Sequence, residues 1–113
     1  MWESIVGKKS RTKGARGELE WAAFLSENGF PARRGRQYHG RPEAPDVVCE
    51  PLAGYHFEVK RTEKLSVYKA LEQATTDSDF QVPVVAHRRN QKDWLVIMDG
   101  KDFLDLVRKA MGR

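Results

Sequence analysis

Asp46 and the triplet Glu58-Val59-Lys60 are the residues of this 113-residue chain best placed to do chemistry together. Side chains on an extended strand alternate between faces, so in the run Tyr55 to Lys60 the residues Tyr55, Phe57 and Val59 share one side while His56, Glu58 and Lys60 share the other. The first side can be core. The second is a row of chargeable groups, costly to bury unless they pair or hold an ion. The segment from Asp46 to Glu50 reads as a second strand, returning through Pro51-Leu52-Ala53 as a hairpin. With Glu50 opposite Gly54, Asp46 lies across from Glu58 on the same face. A slip of one residue would turn Asp46 into the core, and the first register is the one expected. Two carboxylates converging in this way suit Mg²⁺, which takes oxygen ligands and completes its shell with water and phosphate, and Mn²⁺ can substitute. Lys60 beside that ion can position or deprotonate an attacking water and offset charge on a phosphate. The competing reading is an edge hairpin with a surface ion pair.

The chain is long enough for one domain with its own core and too short for two. A net charge of +4 favours a polyanionic partner. The single cysteine, Cys49, falls in a predicted strand, so it reads as a small buried hydrophobe and rules out an intramolecular disulfide. No apolar run approaches membrane-spanning length, and the first residues lack the apolar segment of a secretory signal. The expectation is a soluble, cytoplasmic protein of a nucleoid or a phage-infected cell.

The elements that must position these residues follow in order. Residues 1–13, with Lys8, Lys9, Arg11 and Lys13, are expected to form a flexible basic arm along a phosphate backbone, ahead of a domain spanning 14–113. A first helix is predicted from Gly14 or Ala15 to Asn28, stopped by Gly29. Its apolar side gathers Leu19, Trp21, Ala22 and Leu25, and Glu18 falls among them, whereas Glu20 and Glu27 point to solvent. A carboxylate on a packing face is either a first-turn Glu favoured by the helix dipole or a member of the metal site.

A short strand opening at Ala32 and dense in Arg33, Arg34 and Arg36 comes next, then a breaker-rich loop from Gln37 to Ala44. Within that loop Tyr38 can stack on a base, Arg41 can hold phosphate, and His39 is either solvated or a base. Ser66 caps a second helix from Val67 to about Thr75, with Val67, Ala70, Leu71 and Ala74 as its buried stripe and Gln73 on the shoulder. The crossover through that helix makes the Val82–His87 strand parallel to the Glu58 strand, and the Trp94–Met98 strand antiparallel to its predecessor. A last helix with Phe103, Leu106, Val107 and Ala110 on one face is expected to cover the sheet. The predicted fold is α/β in the order αβββαββα, a single domain with a central mixed five-stranded sheet flanked by helices.

That order, with Lys13-Gly14-Ala15-Arg16-Gly17-Glu18-Leu19-Glu20, Asn28-Gly29-Phe30, Pro45-Asp46-Val47-Val48 and Phe57-Glu58-Val59-Lys60-Arg61, resembles the PD-(D/E)xK nuclease superfamily. More narrowly it is similar to archaeal-type Holliday junction resolvases and their phage relatives, over roughly residues 13–98. The resemblance implies a Mg²⁺-dependent endodeoxyribonuclease acting in DNA recombination and repair. It implies Glu18, Asp46 and Glu58 as metal ligands, Lys60 as catalytic lysine, and Gln73 as the glutamine that many members carry. Arg16 and Arg61 join the basic residues expected on DNA. The chain departs from the resolvases in lacking a serine in the Gln37 to Gly40 loop and an aromatic pair after the lysine motif. Symmetric cutting of a four-way junction needs two nicks, so a homodimer is expected. A nicking, repair or restriction-like nuclease, and a basic DNA-binding module with no catalysis, are the alternatives.

Overall fold

The computed structural model describes the backbone of residues 2–35 and 46–113 and the side chains of residues 14–35 and 46–113. The expectations for Arg36, Tyr38, His39 and Arg41, and for the side chains of Lys8, Lys9, Arg11 and Lys13, lie outside the described residues.

Helix α1 spans Trp2–Glu27, so it starts well before Gly14, and the backbone of the expected arm is helical. The added stretch contains no proline and a single glycine, Gly7, so nothing in it stops a helix that packing stabilises further along. The predicted stop is in place. Gly29 has φ +92°, and the Phe30 N–H donates to the Leu25 carbonyl, the bond that closes a left-handed helix cap.

The strands are β1 (Arg33–Arg34), β2 (Val47–Val48), β3 (Tyr55–Lys60), β4 (Val82–His87) and β5 (Leu95–Ile97), with α2 (Val67–Asp77) between β3 and β4 and α3 (Gly100–Ala110) at the end. The order of elements is the predicted one. The sheet is not: instead of five strands together, β1 and β2 pair antiparallel in one sheet, and β3, β4 and β5 form another in that order. The expected hairpin between the Asp46 and Glu58 segments fails at Pro51. Glu50–Leu52 winds into a turn of 3₁₀ helix, with Leu52 N–H donating to the Cys49 carbonyl, so Glu50 never faces Gly54 across a loop. Within the larger sheet β3 runs parallel to β4, Glu58 opposite Val85, and β5 is antiparallel to β4, both as expected.

Each face of the three-stranded sheet has its own helix. Trp21, Ala22 and Leu25 of α1 pack with Val47, Cys49, Phe57, Val84 and Ala86, and Trp21 sets its ring edge against Phe57 at 5.4 Å. Leu19, expected on that side, is instead 57% exposed. On the other face Ala70 and Ala74 of α2 pack on Val85. A correction applies to α3. None of its residues is buried, and Phe103, Leu104 and Leu106 are exposed, so it does not cover the sheet. The neighbouring strand is only Leu95–Ile97, with Leu95 and Val96 themselves exposed, too little surface to bury a helix face.

No helix among the described residues is long and apolar enough to cross a membrane.

Candidate metal and phosphate site

The alternation on β3 holds. Tyr55, Phe57 and Val59 pack in the α1 core, and His56 and Glu58 occupy the opposite face, where α2 lies. Both are nine-tenths buried or close to it, at 9% exposure each. Burying a carboxylate is costly, and Glu58 is partly compensated by Lys60, whose Nζ lies 3.5 Å from Glu58 Oε1. The other carboxylate oxygen, Oε2, faces His56 Nε2 at 3.9 Å, beyond hydrogen-bond reach. His56 Nε2 is fully buried and has no hydrogen-bond partner among the described residues.

Because β3 is the edge of its sheet, other segments can approach Glu58 around the open side. Asp46 arrives at the start of β2, its carbonyl accepting from the Gly35 N–H, so the end of β1 sets where it sits. Burial pushes the Asp46 carboxyl above its ordinary value, the Glu58 charge pushes it further, and Asp77 adds to this while His56 and Lys60 oppose it. Asp46 therefore feels the Glu58 charge without the hairpin register, and it lies outside the group that His56, Glu58 and Asp77 form within 4.8 Å.

Glu18, on α1, feels the charges of Asp46 and Glu58. Burial raises its pKa most, the hydrogen bond from Arg34 lowers it, and the charges of Asp46 and Glu58 raise it again. Arg34 Nε donates to Glu18 Oε2 at 2.9 Å, a bond between α1 and β1 that the sequence reading did not foresee. Gly17 makes this approach possible, since a Cβ there would lie 2.6 Å from Arg61 Cβ. Glu18 thus sits on the buried side of the helix as expected, but an arginine partners it.

Gln73 reaches the group of His56, Glu58 and Asp77 indirectly. Its Nε2 donates to Asp77 Oδ2 at 2.8 Å, one turn along α2. A ligand atom of Asp77 lies within 4.8 Å of ligand atoms of both His56 and Glu58. Asp77 and His56 were missed as site residues, although each carried a signal. An acid in the last turn of a helix opposes the helix dipole and needs another reason to be there. His56 shares the Glu58 face by simple alternation.

Of the remaining basic residues, Arg16 and Arg33 are exposed. Arg61 is withdrawn from the surface. Its side chain is 14% exposed and its Nε donates to Glu20 Oε2 at 2.8 Å, while Arg88 approaches the same oxygen at 3.7 Å. Glu20, expected in solvent, is therefore the acceptor of a two-arginine pair that ties α1 to the end of β3.

A divalent cation fits the donors His56, Glu58 and Asp77, whose ligand atoms lie within 4.8 Å of one another, and the buried His56 Nε2 has no hydrogen-bond partner among the described residues. Glu18 and Asp46 stand outside that group, although the Glu58 charge raises the pKa of both. No family model, curated protein or solved structure matches the chain.

Proposed function

We propose that the chain is a metal-dependent DNA endonuclease that hydrolyses phosphodiester bonds in branched DNA, four-way junctions foremost. One observation carries this reading: buried Glu58 has Lys60 Nζ 3.5 Å from its Oε1 on the edge strand of its sheet, and its charge raises the pKa of both Asp46 and Glu18, which come from separate segments. Asp46, Glu58 and Glu18 would hold Mg²⁺, or Mn²⁺ in its place. When bound, such an ion polarises a phosphoryl oxygen and makes its own water a better nucleophile.

The chain's residues supply the rest. The Lys60 ammonium, held by Glu58 Oε1, stands where it can orient an attacking water and offset negative charge gathering on the phosphate. Water oxygen bonds to phosphorus as the bond from phosphorus to the leaving sugar oxygen breaks, leaving one phosphate-bearing end and one hydroxyl end. Exposed Arg16 and Arg33 can hold the flanking backbone, and Arg34 can do so if it leaves Glu18. Junction resolution further calls for a homodimer, because one copy of these residues makes one nick.

The 2.9 Å bond from Arg34 to Glu18 favours a second reading, a DNA-binding module whose acids are structural, since it already neutralises one proposed ligand. Incubating the full chain with four-way, flapped and linear DNA in Mg²⁺ or EDTA separates the two. Cleavage that requires Mg²⁺ and prefers the four-way substrate is expected. Binding that ignores Mg²⁺, with no cleavage of any substrate, would overturn the nuclease reading in favour of the module.

A further inference from the structure

On the α2 side of β3, Glu58 also faces two residues that the proposed nuclease chemistry does not use, His56 and Asp77. We propose that His56, Glu58 and Asp77 form a mixed nitrogen and oxygen site for a first-row transition cation of the Mn²⁺ or Zn²⁺ class, distinct in ligand type from the all-carboxylate set, with Gln73 positioning Asp77. The proposal stands on the geometry of this face and does not need the nuclease reading.

The first support is the orphaned nitrogen. His56 is 9% exposed, and its Nε2 is fully buried without a hydrogen-bond partner among the described residues. An unpaired buried polar atom costs free energy, and native structures rarely leave one without a reason. A cation removes the cost, because imidazole nitrogen is among the commonest metal donors in proteins. The second support is that Nε2 faces oxygen at a separation that fits a shared ion. Glu58 Oε2 lies 3.9 Å away, too far for a hydrogen bond, and a ligand atom of Asp77 completes a set in which all atoms lie within 4.8 Å of one another. Ions bound at about 2.1 Å to each ligand hold adjacent donors about 3 to 4 Å apart. The third support is how the acids are held. Glu58 gives Oε1 to Lys60 and keeps Oε2 toward His56, and Gln73 fixes the Asp77 carboxylate by donating to Oδ2. Outer partners of this kind set ligand orientation in metal sites.

Ligand chemistry decides the class of ion. A nitrogen donor lowers the site's fitness for Mg²⁺ and Ca²⁺, which take oxygen, and raises it for cations later in the divalent series. Three protein ligands also leave positions for water or a substrate oxygen. Asp77 is exposed, which supplies an entry path from solvent.

The test uses the metal-free full chain titrated with Mn²⁺ and read by electron paramagnetic resonance, with pulsed measurements of nitrogen coupling. A bound fraction showing ¹⁴N modulation from imidazole is expected, as is displacement by Zn²⁺ and retention against about a hundredfold excess of Mg²⁺. His56→Gln should abolish the nitrogen modulation, and Gln73→Ala, a surface change, should weaken Mn²⁺ binding about tenfold while leaving the modulation in the remaining bound fraction. Saturating Mn²⁺ on the unaltered chain with no nitrogen modulation would overturn the site, whatever the variants do. Equal displacement by Mg²⁺ would overturn its class. Nitrogen-coupled Mn²⁺ on a chain that cuts no DNA would leave the site standing and defeat only the nuclease reading. Mg²⁺-dependent cleavage without nitrogen coupling would do the reverse.

Discussion

Glu58 is the residue on which the proposed chemistry turns, because its two oxygens face different partners, Lys60 on one side and His56 on the other. Asp46→Asn, Glu58→Gln and Lys60→Ala should each lower cleavage at least about a hundredfold while DNA binding persists, since phosphoryl transfer depends on positioning and electrostatic stabilisation. Single-turnover cleavage beside a binding titration checks this, and near-normal cutting by Asp46→Asn would remove Asp46 from the metal set. The same carboxylates should cost stability when no ion is present. Asp46 and Glu18 have pKa values raised in the folded chain, so the folded state holds its protons more tightly than the unfolded one. Their contribution then favours folding at pH below the ordinary carboxylate range and turns against it as pH rises through the raised values. Metal-free Asp46→Asn should therefore melt at a higher temperature than the parent at neutral pH, with the gap narrowing in acid. A lower melting temperature at neutral pH would show that the interactions Asp46 already makes outweigh the burial of its charge.

At the scale of elements, the closeness of α1 to β3 decides whether Glu18 and Arg61 can reach their partners. Gly17 is the contact point, and its missing side chain would collide with Arg61 Cβ, an atom fixed to the backbone just after β3 rather than the end of a flexible chain. Gly17→Ala should destabilise the fold by about 1–3 kcal/mol, the usual range for overpacking, even though alanine is the better helix former. Chemical denaturation measures it. The effect should extend to function, because pushing α1 away also moves Glu18 from Asp46. A neutral or stabilising Gly17→Ala would mean that the helix shifts along β3 without strain. Elsewhere the paired arginines on Glu20 serve as a second tie between α1 and the β3 end, which is why Arg61 contributes to the scaffold before it can contribute to a DNA surface.

For the whole molecule, the unburied helix α3 is the feature that asks for a second copy. It exposes Phe103 at 52% and Leu104 at 51%, and β5 exposes Leu95 and Val96. Apolar residues grouped on one element mark a surface that associates, and closed two-fold pairing is the common outcome for a short chain. Two copies also provide the two nicks that a four-way junction requires. Sedimentation should show a dimer at the concentrations where cleavage occurs, and Phe103→Asp should shift it to monomer while leaving single nicks. A monomeric parent chain, or a Phe103→Asp variant that remains dimeric, would defeat pairing through α3. Junction binding should also persist at salt concentrations that release linear duplex, because nonspecific phosphate contacts weaken steeply with salt.

The sequence by itself determined the features that depend on local period and local chemistry. Alternation along Tyr55 to Lys60 set which side of β3 was core, Gly29 ended α1, Ala70 and Ala74 of the expected stripe seated α2 although its first member, Val67, is exposed, and the crossover made β4 parallel to β3. Tertiary structure decided everything that required knowing which remote segment lies alongside which. Pro51 turned the chain into a 3₁₀ turn, so β2 paired with β1 and the hairpin that would have set Asp46 opposite Glu58 did not form. Arg34 was free to claim Glu18, Arg61 to claim Glu20, and Asp77 to approach His56, because ion pairs across long sequence separations leave no periodic trace. The apolar face of α3 was legible, but whether a sheet would cover it depended on the length of β5, three residues, and that is a property of the packed molecule.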